Sequence, residues 1–372
     1  VITRNPDLKN EENLIYCSSL NHALEIVKSK NNVSKVWVIG GAQIYNQAFR
    51  HHLLNKIYLT RIIGNFSTDI KLDLPDLDII KSSVQTCFNE LNNQEYELIF
   101  SINKVKDKSE NQYMQLLKDI NENGIEKETR NGITKSLIGK CIKFDLDNGF
   151  PLLTTKKMFW RGIVEELLFF IRGDTNTKLL EEKKINIWKG NTNKQFLEDN
   201  ALNYKEGEMG PMYGYQWRSF NGKYPKENGL DQFKKLIWKI KNNPNSRRLL
   251  MTDYNPLQAE KGVLYPCHSL ILQFFVTDNK LHVSMYQRSA DLFLGLPFNI
   301  ASTSLLLCIM SKLTDYQPGT VTLNIGDCHI YKEHYQAVET QLSRISYKLP
   351  DLEIPDFKSL EEVERSDYKD YK

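Results

Sequence analysis

The sequence lacks most of the features that would place a chain outside the ordinary globular class. It has no C-x-x-C pair: its six cysteines stand apart at 17, 87, 141, 267, 308 and 328, and no spacing is that of a zinc site. It lacks an excess of one charge, since 49 basic and 46 acidic residues, well interspersed, leave only +3. That balance excludes the basic stripe of a nucleic-acid-binding face. Long apolar runs are missing too, and those such as "IVEELLFFI" are too short to span a bilayer. There is no internal repeat and no low-complexity stretch. No secretory signal opens the chain, so free thiols in a reducing, cytoplasmic setting are expected. The first residue is Val rather than Met, and the expectation is a portion or processed form of a longer chain. What is present is sufficient for two domains: 372 residues, 41 % hydrophobic and 26 % charged.

Residues 1–103 alternate strand-like and helix-like segments, which argues an α/β sheet. "KVWVIGG" (35–41) reads as a buried strand ending in a glycine turn, and "AQIYNQAF" (42–49) as the helix after it. "NKIYLTRI" and "EYELIFSI" read as further strands. Residues 104–110 carry no apolar periodicity and read as a linker. A second domain, 111–372, opens with Tyr113, Leu116, Leu117 and Ile120 at helical spacing, stopping at Gly124. An almost wholly apolar helix follows at 159–172, closed by Gly173, and later the hairpin "SLILQFFVTDNKLHVSMYQRSADLF".

Chemistry-bearing residues gather in this second domain. Cys267 lies between Pro266 and His268 at the mouth of an apolar strand, where a buried packing thiol and a presented nucleophile are both open readings. In the hairpin, Leu281, Val283 and Met285 alternate with His282, Ser284, Tyr286 and Arg288, so the polar face lines either a cavity or solvent. Glu165 and Glu166 sit inside the apolar helix; one is expected to point to solvent, and the other to have a raised pKa suited to proton traffic. The adjacent Arg247 and Arg248 are either surface charge or a phosphate clamp.

Taken in order, "FPLLTTKKMFWRGIVEELLFFIRGDTN", "GPMYGYQWR", "SRRLL", "YPCHS", "YQRSADLFLGLPFNIAS" and "GDCHIY" resemble thymidylate synthase over 111–372. The resemblance implies a mixed α+β domain that methylates dUMP reductively with 5,10-methylenetetrahydrofolate, giving dTMP and dihydrofolate without a metal. Cys267 matches the nucleophile that adds to C6 of the uracil, and Glu166 the carboxylate that organises proton transfer at C4 and C5. Arg288 is expected to lower the thiol pKa, and Asp291 joins these three as a catalytic match. Arg130, Arg288 and Ser289 match phosphate ligands from one subunit, and Arg247 and Arg248 the pair that crosses from the other, which implies a homodimer. Asn299 matches the residue that reads the base. Its carboxamide accepts from N3–H and donates to O4, which favours uracil over cytosine. His268 matches a residue of the water network near O4, and His329 and Tyr331 the pair that holds the deoxyribose hydroxyl. Gln287, Ala290, Asp291 and Ile330 complete the implied nucleotide site, and Trp188, Asp291, Leu294 and Phe298 the folate site. Two departures stand out. "RNGI" replaces the family's R-T-G-T around Arg130, and the chain ends at "SDYKDYK" where relatives continue into a folate-closing tail, so slow turnover is expected.

"VITRNP", "KVWVIGGAQIYNQAF" and "IYLTRI" resemble the C-terminal part of dihydrofolate reductase. This implies that Thr3 and Arg4 contact the NADPH 2′-phosphate, with Gly40, Gly41, Ala42, Gln43 and Tyr45 along the cofactor and Ile39 and Thr60 at the pterin. The family's opening segment has no counterpart, and Ser19 stands where a second cofactor arginine is expected. The portion given is therefore expected not to reduce dihydrofolate by itself. Together the two resemblances imply a fused reductase–synthase. The alternatives are a dUMP hydroxymethylase of the same superfamily, and a non-catalytic nucleotide- or RNA-binding protein with a vestigial reductase unit. For the leading reading no nucleic acid or membrane is required.

Overall fold

The computed structural model describes residues 1–372 apart from 4, 6–7, 31–32, 50–53, 55, 64–66, 71, 73–76, 90–93, 106–109, 226–228 and 345; for 28, 56, 61–63, 77–89 and 94–105 it describes the backbone alone. The chain divides into two compact units, Val1–Asp107 and Lys108–Lys372.

The first unit holds α1 (Leu20–Lys28), α2 (Ala42–Phe49) and an antiparallel sheet of β1 (Lys56–Ile63), β2 (Leu77–Asn89) and β3 (Gln94–Val105), in the order β1-β3-β2. Ser19 caps α1 by accepting from His22 N at 3.1 Å, satisfying one of the helix's orphan donors. The expected buried strand at 35–41 does not form. Residues 33–41 have no regular structure, and Val36, Trp37 and Ile39 are 50 %, 61 % and 87 % exposed. Apolar composition makes a segment compatible with a strand, but only a laddered neighbour satisfies its amides and carbonyls. Among the described residues none pairs with 35–39.

In the second unit α3 (Asn111–Asn123) precedes the β4–β5 hairpin (Ile125–Thr129, Gly132–Asp145) and α4 (Trp160–Arg172). Short helices follow: α5 (Lys178–Glu182), α6 (Lys189–Thr192), α7 (Lys194–Asp199) and α8 (Gly214–Ser219), then α9 (Gln232–Asn242). The strands β6 (Leu250–Met251), β7 (Ile271–Thr277) and β8 (Lys280–Asp291) lead to α10 (Gly295–Thr314), β9 (Gln317–Tyr331), α11 (Tyr335–Leu342) and α12 (Leu360–Arg365). Six strands form one sheet in the order β4-β5-β9-β8-β7-β6, with β8 and β9 parallel and the other neighbours antiparallel.

Period-two alternation turns Leu281, Val283 and Met285 of β8 and Val321, Leu323 and Ile325 of β9 into the core, none more than 2 % exposed. Against them packs α10, through Leu305, Leu307 and Ile309, and α4 packs on α10 and joins the same core through Val164, Leu168 and Ile171, all completely buried. Each such side chain contributes about 1.5–3 kcal/mol of burial. By length and composition α10 could cross a membrane, a run the sequence reading passed over, but 78 % of its most apolar window is buried inside this unit.

Helix ends differ in cause. Gly173 closes α4 in the left-handed region at φ 77°, where glycine carries no steric penalty. Gly124 closes α3 at φ −67°; it is glycine because a Cβ there would lie 2.4 Å from Ile120 O. Glu110, at the end of the segment read as linker, is fully buried, and its carboxylate accepts from the amides of Thr154 and Thr155 at 2.8 and 3.2 Å.

Candidate active site

The turn at Tyr265–Ser269 presents Cys267. Arg288 grips it from β8 twice: its amide donates to Cys267 O at 2.8 Å and its Nε to Pro266 O at 3.1 Å. Leu270 N then donates to Tyr286 O, and the turn runs straight into the β7–β8 ladder. Cys267 is only partly buried, and Tyr213 Oη lies 3.5 Å from its Sγ. The Tyr213 ring in turn stacks on His268, centroids 4.4 Å apart and planes 12° apart. Neighbouring residues of the turn thus meet one tyrosine, which holds both.

Burial pushes the Cys267 thiol above its ordinary value, against the lowering effects of the Tyr213 hydrogen bond and the Arg288 charge. Arg288 thus acts in the expected direction, lowering the thiol, but desolvation outweighs it. His268 is pushed down to about 4 by burial, so at neutral pH it is an uncharged imidazole.

On α4 neither carboxylate points freely to solvent, contrary to expectation. Glu165 is 1 % exposed, paired with Lys183 Nζ at 2.6 Å and accepting from Tyr368 N at 3.2 Å. It is structural. Glu166 accepts from Trp188 Nε1 at 2.7 Å, and burial pushes it up to about 7 although the indole bond pulls the other way. A carboxyl at that value exchanges protons at neutral pH. Trp188 also packs against Tyr213 and Phe170, with centroids 6.0 and 6.5 Å away, which links Glu166 to the Cys267 side of the site.

From α10, Asn299 Oδ1 accepts from Gln287 Nε2 at 2.9 Å, which fixes the carboxamide's orientation. Gln287 is 1 % exposed and its Nε2 also reaches Ser289 O at 3.2 Å. The parallel ladder sets Ser289 beside Asp327 and Asp291 beside His329. His329 Nδ1 lies 3.0 Å from Asp327 Oδ1, Asp327 Oδ2 accepts from Lys127 at 2.6 Å, and Tyr331 meets the histidine ring edge-on at 5.2 Å. Asp291 accepts from Phe293 N and Leu294 N at 2.9 and 3.1 Å and so shapes the entry to α10. Phe298 is partly buried, and Leu294 is 51 % exposed. Ala290 and Ile330 turn into the core, so contacts from them must come through backbone.

Three arginines stand apart. Arg130 is exposed on the β4–β5 turn, its Nε 3.4 Å from Asn131. Arg247 and Arg248 are exposed on the turn before β6, and among the described residues their guanidinium groups make no hydrogen bond or ion pair.

In the first unit Thr3 Oγ1 accepts from Asn5 N at 3.1 Å, and Arg4 lies outside the described residues. Gly40 has φ +126°, a value that needs glycine, and a Cβ on Gly41 would meet nothing within 4 Å. Bare backbone therefore leads into α2 beside Ala42 and Gln43, which fits in kind the approach of a nucleotide phosphate. Tyr45 lies over Gly40, while Ile39 and Thr60 are exposed.

Sequence reasoning missed two residues of the second unit. Tyr213 lies inside the quoted "GPMYGYQWR", and its signal is conformational: φ 37° and ψ −100° in a non-glycine residue. Asp253 is 1 % exposed, and nothing in the local sequence marks it.

The thymidylate synthase family model matches residues 111–372, and the dihydrofolate reductase model residues 1–119. Bifunctional dihydrofolate reductase-thymidylate synthase 1 of Arabidopsis thaliana is 37 % identical over 99 % of this chain and 79 % of its own length. The bifunctional enzyme of Paramecium tetraurelia is 36 % identical over 99 % and 82 %. That of Leishmania major is 39 % identical over 91 % and 66 %.

Proposed function

Since the chain belongs to the bifunctional dihydrofolate reductase–thymidylate synthase family, we propose that the Cys267 site makes dTMP from dUMP and methylenetetrahydrofolate with the residues just described. The observation that carries the assignment is the single cluster of Cys267, Tyr213, His268, Trp188 and Glu166. Each member has a chemical task. The thiolate of Cys267 adds to C6, which makes C5 nucleophilic toward the folate methylene. Tyr213 Oη, at 3.5 Å, can hand a hydrogen bond to the departing or returning thiol. Glu166, near 7, takes and returns protons as C5 loses its hydrogen, and neutral His268 can donate to or accept from water without a charge change. Tetrahydrofolate then leaves, and its hydride reduces the exocyclic methylene, releasing dihydrofolate.

Gln287 holds Asn299 so that Oδ1, already accepting one bond, keeps a lone pair for N3–H while Nδ2 donates to O4. His329, braced by Asp327, and Tyr331 face the deoxyribose, and Arg288, Ser289 and Arg130 the phosphate. Arg247 and Arg248 serve the same phosphate from a second copy of the chain. Supporting that homodimer, Leu250, Ile271, Phe275 and Tyr286 are 41–47 % exposed on one face of the β6–β7–β8 sheet, an apolar patch larger than scattered surface residues make. Residues 1–119 contribute to the reductase that returns dihydrofolate to tetrahydrofolate, for which NADPH supplies the hydride. The test is the mass of the nucleotide formed from dUMP together with the folate's oxidation state. dTMP with dihydrofolate is expected; a hydroxymethylated nucleotide with tetrahydrofolate would refute the reading.

A further inference from the structure

The exposed arginine that grips the Cys267 turn is itself held on two sides. Arg288 Nε donates to Pro266 O at 3.1 Å, and the guanidinium carbon lies over the Tyr265 ring, 5.3 Å from its centroid. Among the described residues its two terminal nitrogens make no hydrogen bond or ion pair. A guanidinium stacked in this way keeps its charge and its fork of donors while losing side-chain freedom. Tyr265 is 42 % exposed and does not hold its place by packing alone. Its hydroxyl meets Tyr254 Oη at 2.8 Å. Tyr254 is fixed in turn, because its amide donates to Thr252 Oγ1 at 3.1 Å and that hydroxyl donates to Leu270 O. Asp253, between these two residues, is buried, whereas Tyr254 is only partly so and reaches Tyr265 at the surface.

We propose that Tyr265 is a positioning residue for the phosphate site: it holds the Arg288 guanidinium so that the terminal nitrogens stand ready for the nucleotide's phosphate, with Tyr254 as its brace. The role rests on the reading of Arg288 as a phosphate ligand. An exposed arginine free to rotate would have to be ordered when the nucleotide arrives, and that entropy would be subtracted from affinity. Held by Pro266 and Tyr265, it is ordered beforehand. The same arginine fixes the Cys267 turn through its amide and Nε, so one residue relates the phosphate end of the nucleotide to the thiol. The phosphate does not react, and its contact is the same before and during the chemistry. Loss of the stack therefore weakens binding without slowing the chemical step.

The experiment measures dissociation constants of the full chain for dUMP and for deoxyuridine, which lacks the phosphate, together with KM and kcat for dUMP. In Tyr265→Leu dUMP binding is expected to weaken about two- to fivefold, the size of a cation–π contact at an exposed site. KM should rise with it while kcat holds, and deoxyuridine binding should stay at the wild-type value. Tyr265→Phe, which keeps the ring but loses the brace, is expected to fall between wild type and Tyr265→Leu. Unchanged dUMP affinity in Tyr265→Leu, an equal loss for both ligands, or a Tyr265→Phe variant as weak as Tyr265→Leu overturns the proposal. A merely structural Tyr265, two residues from Cys267, would lower kcat and weaken both ligands alike. The underlying reading fails separately. If wild type binds deoxyuridine as tightly as dUMP, or Arg288→Met leaves the ratio of the two affinities unchanged, the phosphate assignment of Arg288 falls. If the ratio drops in Arg288→Met but not in Tyr265→Leu, only the role of Tyr265 falls.

Discussion

Replacing Trp188 by Phe removes one hydrogen bond and almost nothing else. Phenylalanine keeps an aromatic ring for contact with Phe170 and Tyr213, but the indole N–H that donates to Glu166 Oε1 at 2.7 Å is lost. That bond is made to a group that burial has pushed up to about 7, and it is the influence holding it from rising further. A hydrogen bond to a charged acceptor is worth about 1.5–3 kcal/mol, which corresponds to roughly one to two pKa units. The direction is unambiguous: the donor stabilises the carboxylate, so its removal favours the acid form and moves the ionisation upward. The assay is kcat for dTMP formation across pH, with dUMP and folate saturating. The limb that reports Glu166 is expected to move up by at least about one unit. A uniformly lower kcat with the limb unmoved would show that Trp188 only packs. A limb displaced downward would refute the assignment of the limb to Glu166.

The raised ionisation of Glu166 also bears on stability. Lifting it from 4.5 to about 7 means the native state holds a proton that the unfolded chain releases between those values, so stability falls as pH rises through that window. Glu166→Gln should therefore unfold at higher denaturant than wild type by up to about 3 kcal/mol above pH 7, and by little at pH 4; a gain that did not change with pH would contradict this. Lys183→Met leaves Glu165, 1 % exposed, without its 2.6 Å partner. The loss on urea unfolding is expected at about 1–3 kcal/mol, the half-exposed lysine softening the cost of an unpaired buried charge. Asn299→Asp reverses the pattern offered to the pyrimidine, and the ratio of kcat/KM for dUMP over dCMP should fall by about two decades or more, measured in direct competition.

How much of this was legible in the sequence follows from where each property is decided. The helix at 111–123 and the hairpin of β7 and β8 were legible because their buried faces recur at 3.6 or 2 residues along the chain itself, and the helix at 160–172 because its almost wholly apolar run ends at Gly173. The segment 35–41 carries an equally apolar run, yet strand formation is a property of a pair, and its sequence cannot supply the other member. Glu165 and Glu166 defeat a local rule for a similar reason. Adjacent helical residues point about 100° apart, which suggests one inside and one outside. What decides the matter is Lys183, 18 residues on, and Trp188, 22 residues on, each of which brings a donor to its own carboxylate.

The chemistry of the nucleophile divides in the same way. That Cys267 is presented by a turn could be read from Pro266 and the strand after it, and its likeness to the synthase nucleophile from "YPCHS". The proton affinity of its thiol could not. It is a difference between desolvation, which depends on everything packed around the sulfur, and the opposing influences of Tyr213, 54 residues earlier, and Arg288. A neighbouring arginine lowers a thiol's proton affinity wherever it sits, but here desolvation raises it by more than the charge returns. Residue identity is thus written locally and ionisation globally.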